Sequence, residues 1–492
     1  MNLYLQLEIA ARELEGRSLL ALAAAERGHH VLLGDLRRYL EHGLDAFPPG
    51  IFHDKSLTPS ARKLRLHGRL VERGFVVTSQ DEEHWLNLER YDVPARKRFS
   101  SAALANAARS FAWGPHEHDA LTSAYPEHAE RIVTVGSPRI DLWRPEFAAA
   151  HATVDLVGTG GRDGFVLFAS NFASALEVTR FWARMRDKRQ HHVGPEDPYE
   201  FDRYDLVADR YRVLGHFVRA IRRVALAHPD RLIVVRPHPV EARGAFSDLV
   251  GPLPNVLVTR RGALTPWVRR AAVLVQSDST SAYEAAVIGT PVVSLTPGGT
   301  LADSVANRLG RRADDAEGVL VLVDEALAAS TDPARRTAWL PSEGRDLIGR
   351  RIAALDGVLA TDRIVADWDA LAPVAPPLRT GPILAARRRI RARHRLGTLR
   401  RRLGAGPMAE RAGTRGAVDA AGTSVAQRES ERSDDPFVRA HKFPPLQAGE
   451  VASLVDGLRS ALGRFRDVDV RVVGDDLIAF TPRTGSGSGP GR

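Results

Sequence analysis

Short apolar runs alternate with longer segments of helical periodicity along the first 150 residues. The runs predict strands at 3–7, 31–33, 75–78, 110–112 and 132–135, and the periodic segment 12–27 predicts a helix that ends at Gly28. Strands that alternate with helices form a parallel sheet covered on both faces. Residues 1–150 are therefore predicted to form a Rossmann-like α/β unit.

The same alternation returns after a Gly-rich stretch at 146–163, which we interpret as an interdomain linker. A long helix is predicted over 204–227, after an inserted loop at 190–203. Strands are predicted at 165–169, 232–235, 256–258, 273–275, 291–295 and 319–323. Residues 164–370 thus form a second predicted Rossmann-like unit, and the active site is expected in a cleft between the two units.

The pattern changes after residue 370. Residues 371–435 are rich in Arg, Gly, Ala and Ser, and they predict a basic linker that is partly disordered or lies on a membrane surface. Residues 436–482 regain strand and helix patterning. They form a predicted small C-terminal element, which is either an appended subdomain or a segment that returns to the main fold.

Length and composition agree with two globular units. A chain of 492 residues is too long for one core, and 44% hydrophobic with 26% charged residues is typical of a globular protein. The absence of cysteine excludes disulfides, thiolate metal sites and a cysteine nucleophile. We see no apolar run of transmembrane length and no signal-peptide pattern at residues 1–8, so we expect a cytoplasmic protein.

The net charge of +9 is concentrated in one segment. Residues 371–409 contain ten arginines and no acidic residue, and subtracting them leaves −1 for the rest of the chain. Nucleic-acid binding, which needs a basic surface spread over a domain, is therefore not expected. The segment from Arg387 to Arg402 predicts contact with anionic lipid at the inner face of the plasma membrane; a basic linker without that contact is the alternative.

Two motifs follow predicted strands of the second unit, at the sheet edge where ligands of open α/β sheets bind. The first is Arg236-Pro237-His238-Pro239, and the second is Ser277-Asp278-Ser279-Thr280-Ser281. Hydroxyl groups, free backbone N–H groups and a helix dipole at the second motif would attract an anion. Together the motifs predict a phosphate site for a nucleotide-activated donor.

Each of these residues also has a structural interpretation. His238 could be a loop histidine hydrogen bonded to the backbone, and the serines could be helix N-caps. Glu284 could accept hydrogen bonds from ribose hydroxyls or complete a capping box. Ser170 and Asn171, at the end of the strand 165–169, are expected to reach the donor phosphate.

Polar residues also follow the strands of the first unit. The acids Asp81, Glu82 and Glu83 supply a candidate general base for an acceptor hydroxyl, or they stabilise a helix N-terminus. At neighbouring strand ends, residues that either bind the acceptor or cap helices are Glu8, Arg12, Glu13, Asp54, Lys55, Ser137 and Arg139.

Several cofactor classes have no sequence signal. The 17 histidines form no metal-ligand spacing such as HExxH, and no GxxxxGK[ST] loop is present. Gly158-Thr159-Gly160-Gly161 precedes a predicted strand, whereas a dinucleotide-binding loop follows one. We therefore expect no bound metal and no cofactor other than the nucleotide-sugar substrate.

The combination of the His-Pro motif with the downstream Ser/Thr motif resembles the bacterial GT-B glycosyltransferases that use CMP-activated acidic sugars, such as sialyltransferases and Kdo transferases. This resemblance implies that His238 and the hydroxyls of 277–281 hold the CMP phosphate. It also implies an acidic base from a D/E-D/E-G motif in the N-terminal unit. Glu82 and Glu83 match its acids, although His84 replaces the glycine, and Glu83 is the first candidate.

A wider similarity covers most of residues 1–370. The order of the motifs around Glu8, Asp54, Asp81 and Gly136, together with His441-Lys442-Phe443-Pro444-Pro445, is similar to the bacterial surface carbohydrate biosynthesis proteins. This resemblance implies a GT-B glycosyltransferase of surface polysaccharide assembly. A CDP-polyol phosphotransferase, a UDP-sugar 2-epimerase-like enzyme and a non-catalytic scaffold are the alternatives. The donor sugar, acceptor, linkage and oligomeric state are left open.

Overall fold

The computed structural model describes residues 1–82, 98–176, 199–298 except 240 and 243, 304–371, 445–473 and 476–483, with isolated positions at 86, 89, 95, 96, 381, 385, 388 and 443. The predicted basic linker 371–435, with the segment 387–402, lies outside these residues apart from positions 371, 381, 385 and 388. Glu83 and His84 also lie outside them.

The first α/β unit has an eight-stranded sheet, and the first six strands with the helices between them come from residues 1–152. Its strands are β1 (Asn2–Gln6), β2 (His30–Gly34), β3 (Ile51–Asp54), β4 (Val76–Gln80), β5 (Arg109–Ala112) and β6 (Ile132–Thr134). Its helices up to residue 152 are α1 (Ala10–Glu26), α2 (Arg37–Gly43), α3 (Ala61–Glu72), α4 (Ser101–Ala105), α5 (Pro115–Ala124), α6 (Pro138–Asp141) and α7 (Ala148–Ala152). Short 3-10 turns lie at Leu44–Ala46, Pro126–Arg131 and Pro145–Phe147.

The second α/β unit follows. Its strands are β7 (Phe165–Ala169), β8 (Ile233–Arg236), β9 (Val256–Val258), β10 (Ala271–Gln276), β11 (Val292–Leu295) and β12 (Arg311–Ala313). Its helices are α8 (Ala173–Leu176), α9 (Tyr199–Ala227), α10 (Ala245–Val250), α11 (Thr265–Arg270), α12 (Ser281–Ile288), α13 (Ala316–Ser330), α14 (Pro333–Trp339) and α15 (Ser342–Arg351), with a 3-10 turn at Val305–Leu309. The chain then adds α16 (Ala360–Leu371), α17 (Ala448–Leu462), β13 (Val468–Val472) and β14 (Leu477–Pro482).

Each unit is built on one sheet whose neighbouring strands are parallel through most of its width. The second sheet has the order β12-β11-β10-β7-β8-β9, so the strand order reverses between β7 and β10. The first sheet has the order β13-β14-β2-β1-β3-β4-β5-β6 and reverses between β1 and β3. The predicted α/β architecture of two Rossmann-like units is confirmed.

The C-terminal element returns to the first sheet. β14 pairs antiparallel with β2, and β13 pairs with β14. The apolar residues of α17 and β14 share one buried cluster with α1 and the first strands. Of the two interpretations of residues 436–482, the described part is therefore a returning segment, because its apolar face completes a core begun 400 residues earlier.

The prediction of a strand at 319–323 is wrong. These residues lie in α13, which Asp315 caps by accepting a hydrogen bond from the backbone N–H of Gly318 at 2.8 Å. The run of Val and Leu is apolar on successive turns of a helix that packs on the second sheet. β12 ends the sheet instead. Residues 199–203 belong to α9 and not to the predicted inserted loop, and part of the predicted linker 146–163 forms α7.

Helix α16 falls within the range predicted for the second unit but packs on the first. Its buried residues Ile364, Val365 and Trp368 join the core of the first sheet. Asp141 caps it, since its carboxylate accepts hydrogen bonds from the backbone N–H groups of Ala360 and Thr361 at 2.9 and 2.8 Å and from the Thr361 hydroxyl at 2.7 Å. The chain thus crosses between the units twice.

The two units touch closely where the chain crosses back. The N–H of Ala353 donates to the carbonyl of Trp113 at 2.7 Å, and a Cβ on Gly114 would lie 2.4 Å from the carbonyl carbon of Arg351. We expect Gly114→Ala to lower the free energy of unfolding by about 1–3 kcal/mol, since the backbones must separate. Urea unfolding measures this. Gly68→Ala in α3, where a Cβ meets open space, is the control, and an equal loss in both variants would contradict the close-contact explanation.

None of the helices in the described parts of the chain is long and apolar enough to cross a membrane.

Candidate active site

The carboxyl edges of the two sheets face each other. The Tyr283 hydroxyl at the start of α12 donates to the carbonyl of Leu86, which follows β4, at 2.8 Å. Arg308 of the second unit pairs with Glu89 of the same loop at 3.2 Å. Loops that end the strands of both sheets therefore line one cleft.

Three loops of the second unit are fastened together at the point where its strand order reverses. β7 lies between β8 and β10, and the loop after it touches both neighbours. Ser170 accepts a hydrogen bond from the backbone N–H of His238 at 3.1 Å. Asn171 donates to the carbonyl of Asp278 at 2.6 Å. The structure thus brings together four of the residues predicted to bind the donor, which are Ser170, Asn171, His238 and Asp278.

Glu241, which sequence reasoning missed, holds two of these loops. Its carboxylate accepts from the backbone N–H groups of Phe172 and His238 at 2.5 and 2.9 Å and from the Ser170 hydroxyl at 2.5 Å. Burial raises the pKa of Glu241, and these three hydrogen bonds oppose that shift. The sequence signal that could have identified Glu241 is its position three residues after His238.

The loop 277–281 is held from beneath by side chains that sequence reasoning also missed. Asn307 accepts from the N–H of Asp278 and Gln276 accepts from the N–H of Ser279, both at 2.8 Å. Arg210 pairs with the Asp278 carboxylate, and Asp278 has a φ of +47°, a conformation that non-glycine residues rarely adopt. The N–H of Ser281 also donates, to the Ser279 hydroxyl at 3.4 Å. Because three N–H groups of the loop are used internally, the expected cradle of free N–H groups is not present at these three positions.

The hydroxyls of this loop differ in exposure. Thr280 is exposed and precedes α12 without capping it through its side chain. Ser279 is half-buried and accepts a hydrogen bond from the Ser281 hydroxyl at 2.9 Å. Ser277 is buried. Thr280 and Ser279 are therefore the hydroxyls best placed to meet a ligand.

His238 follows β8 in a loop whose backbone is held by Ser170 and Glu241. The residue is exposed, as is Pro239. Desolvation, followed by the positive charges of Arg12, Arg260 and Arg210, lowers the pKa of His238 to about 4. Arg12 belongs to α1 of the first unit, so both units contribute to the positive potential at this ring.

Arg236 has a different place from the one predicted. Its guanidinium donates to the carbonyls of Arg261 and Gly262 at 2.6 and 2.8 Å and lies 5.0 Å from the centroid of Trp267. Burial lowers its pKa to about 10. The contacts assign Arg236 to supporting the loop after β9 rather than to contacting a phosphate.

Glu284 does not complete a capping box. Its carboxylate accepts from the Thr265 hydroxyl at 2.5 Å and is buried. Burial raises the pKa of Glu284, and the nearby guanidinium of Arg139, from the first unit, opposes that shift. A buried carboxylate on the first turns of α12 is compatible with the predicted ribose contact.

In the first unit, Asp81 and Glu82 point to different partners. Asp81 accepts hydrogen bonds from Nε and Nη2 of Arg98 at 2.5 and 2.7 Å, which leaves it a structural acid. Glu82 is buried, and its Oε1 lies 2.9 Å from the Arg17 guanidinium, while its Oε2 has no hydrogen-bond partner among the described residues. Burial raises the pKa of Glu82, and Arg17 opposes this shift.

The remaining predicted acceptor residues form two groups. Lys55 pairs with Glu8 at 2.5 Å, and Arg37 lies 3.2 Å from Glu8, where the strand order of the first sheet reverses. Asp54 is fully buried and contacts the side chains of Lys63 at 3.4 Å and His67 at 3.0 Å. Asp54 is thus part of the core, whereas Glu8 and Lys55 lie at the sheet edge.

The second group surrounds the start of α1 and α6. Glu13 accepts from the N–H groups of Glu8 and Ile9 at 2.8 and 3.3 Å and pairs with Arg12 at 2.9 Å, so it caps α1. Ser137 accepts from the N–H of Arg139 at 3.3 Å and caps α6. Arg139 itself is half-buried in the cleft.

Within the described residues, no group of three or more His, Asp or Glu side chains is arranged to hold a metal ion. Metal independence stays a prediction.

No protein-family model and no curated protein sequence matches the chain. Solved structures of similar fold include UDP-GlcNAc 2-epimerase from Neisseria meningitidis, with 11% identity and a TM-score of 0.41 over 75% of this chain and 100% of that chain. UDP-GlcNAc 2-epimerase from Methanocaldococcus jannaschii has 12% identity and a TM-score of 0.43 over 75% of this chain and 100% of that chain. A glycosyltransferase from Rickettsia africae has 10% identity and a TM-score of 0.41 over 75% of this chain and 98% of that chain. Identities and TM-scores this low have no bearing on substrate or reaction.

Proposed function

We propose that the protein is a glycosyltransferase of surface polysaccharide biosynthesis. It transfers a sugar from a nucleotide donor, with CMP as the expected leaving group, to a hydroxyl of a glycan or lipid-linked acceptor. The observation that carries this proposal is the junction of three loops at His238, at the reversal point of the second sheet. Arg12 of the first unit acts electrostatically both on His238 and on the buried carboxylate of Glu82.

The donor phosphate would lie between His238 and the hydroxyls of Thr280 and Ser279. With a pKa of about 4, His238 is neutral at pH 7 and donates one N–H hydrogen bond without carrying charge. Arg12, Arg210 and Arg260 supply the positive potential. A preorganised positive field stabilises the charge that develops on a departing phosphate.

The reaction divides between the two units. As the bond between the sugar anomeric carbon and the phosphate oxygen breaks, its electron pair leaves with the nucleotide. The acceptor oxygen forms the new bond to the anomeric carbon, and its proton passes to a carboxylate. Among the described residues, Glu82 is the candidate for this base. No other described group donates a hydrogen bond to its Oε2, and an acceptor hydroxyl would supply one. Glu83 stays the alternative predicted from the family motif.

The test is calorimetric titration of the full-length protein with CMP, CDP, UDP, GDP and ADP. We expect selective binding of CMP or CDP, weakened about tenfold in His238→Ala by loss of one hydrogen bond to a charged group. His228→Ala is the matched control. His228 precedes the other end of β8 and pairs with Asp324 at 2.8 Å, so nucleotide affinity should not change.

Other outcomes redirect the proposal. Binding of UDP alone would contradict the cytidine donor and favour a UDP-sugar enzyme, including the epimerase-like alternative, which needs no acceptor. Absence of nucleotide binding would overturn the proposal and favour a scaffold. Where a cytidine nucleotide binds, the mass of the product separates transfer of a sugar from transfer of a phosphopolyol.

A further inference from the structure

One arginine in the cleft differs from all the others near it. Arg210 and Arg236 donate to backbone carbonyls, and Arg260 does the same. Arg17 pairs with Glu82. The Arg139 guanidinium has no hydrogen bond and no ion pair among the described residues. Its Cζ lies 5.9 Å from the centroid of the Trp143 ring. Its donors are therefore available to a ligand.

Backbone packing fixes where Arg139 lies. A Cβ on Gly16 of α1 would lie 3.0 Å from the Cα and N of Arg139, so α6 rests directly on α1 and any larger residue at position 16 would press on its backbone. Arg12 lies one turn before Gly16 on the same face of α1, since residues four apart are neighbours on a helix. Burial lowers the pKa of Arg139, and the charge of Arg12 acts in the same direction, so the two guanidinium groups lie near each other. Each side chain is partly exposed.

Neighbouring carboxylates do not use these donors. Glu284 across the cleft and Glu82 beside α1 influence Arg139 electrostatically, yet neither forms an ion pair with it. Glu284 accepts from Thr265, and Glu82 is paired with Arg17. Two adjacent guanidinium groups, one with its donors uncommitted, form a site that matches the geometry of a carboxylate or phosphate.

We propose that Arg139, with Arg12 beside it, binds an oxyanion of the acceptor, a carboxylate or a phosphate monoester close to the hydroxyl that attacks the donor. This inference rests on the proposed glycosyl transfer and makes the acceptor an anionic glycan. The position supports an acceptor role because both arginines belong to the first unit and lie beside Glu82.

Ligand-observed NMR on the full-length protein, with and without the nucleotide that binds best, tests the inference with three probes: glucuronate, glucose 6-phosphate and glucose. We expect one of the two anions to bind and glucose not to bind. Preference for glucuronate identifies a carboxylate, and preference for glucose 6-phosphate identifies a phosphate. Arg139→Gln should weaken the anion at least about tenfold, as loss of a charged hydrogen-bond pair does, with the nucleotide affinity unchanged.

Two variants keep the result interpretable. Arg65→Gln removes the same charge from an exposed position on α3 and should leave anion binding unchanged. Arg139→Lys keeps the charge without the planar fork, and its affinity for the anion should lie between those of the wild type and Arg139→Gln. This variant also tests the inference if Arg139→Gln does not fold.

Three results would overturn the inference: no anion binding to the wild type, equal binding to Arg139→Gln, or an equal loss of nucleotide affinity in Arg139→Gln, which would assign the site to the donor phosphate. Anion binding that depends on Arg139 in a protein that binds no nucleotide would instead overturn glycosyl transfer and leave the oxyanion site standing.

Discussion

Replacing Glu82 by Gln is expected to lower kcat for sugar transfer by about 10²–10⁴-fold, the usual contribution of a general base, without changing nucleotide affinity. Gln is nearly the same size, and its amide oxygen can take the position of Oε1, which lies 2.9 Å from the Arg17 guanidinium. It cannot take a proton from an acceptor hydroxyl. Initial rates at saturating donor measure the effect, and calorimetry measures the affinity.

The neighbouring acids are the controls for this variant. Asp81→Asn should lose stability through its broken pair with Arg98 and keep its rate constant in the folded fraction. Glu83→Gln tests the residue that the family motif favours. A loss of kcat in Glu83→Gln with normal turnover in Glu82→Gln would exclude Glu82 as the base and assign that role to Glu83.

Replacing Asp54 by Ala is expected to cost about 3–5 kcal/mol of unfolding free energy, because it leaves buried cationic partners uncompensated. Asp54 is fully buried. Its carboxylate faces Lys63 at 3.4 Å, Arg37 at 3.6 Å and His67 at 3.0 Å. Urea unfolding at pH 7 measures the loss. Asp45→Ala breaks an exposed pair with Arg73 and should cost less than about 1 kcal/mol.

The pKa of Asp54 also predicts how the difference in unfolding free energy between wild type and Asp54→Ala depends on pH. The charges of Lys63 and Arg37 hold the pKa of Asp54 well below its ordinary value, against the opposing effect of burial. A carboxyl group whose folded pKa is depressed contributes stability that is fully present above its unfolded pKa of about 3.9. That contribution is lost as the pH falls below about 3.9 toward the folded pKa. The difference in unfolding free energy between wild type and Asp54→Ala should therefore be constant from neutral pH to about 5 and become smaller below 4. A gap that widens in acid would contradict the assignment.

The strand ends of both sheets could be located from the sequence, because apolar runs before Glu8, Asp54, Ser170, His238 and Ser277 are bounded by polar residues. The error at 319–323 has a local cause. Val and Leu favour a strand, and only the Asp315 cap and packing against the second sheet decide for a helix. The pairing of β14 with β2 could not be inferred, since apolar alternation does not identify its partner strand.

The site was predictable as a set of loops but not as a set of contacts. His238 and the 277–281 loop lie at one sheet edge, joined through Ser170 and Asn171, because parallel strands end at one edge. The supports Glu241, Asn307 and Gln276 have no motif of their own, and their roles depend on distances across strands. Arg236 illustrates the same limit, because its position beside His238 does not determine which way its guanidinium turns.

The late pairing of β14 has a consequence for synthesis on the ribosome. Tyr39 and Asp476 are hydrogen bonded although 437 positions separate them, and β2 has its outer partner only when residues 477–480 arrive. The second unit, whose strands lie between 165 and 313, can complete its sheet earlier. Domains usually fold in the order in which they emerge, whereas here the N-terminal unit finishes last. Until then the nascent chain carries an open strand edge, which is a template for aggregation, so the unit most in need of chaperone protection is the first one made.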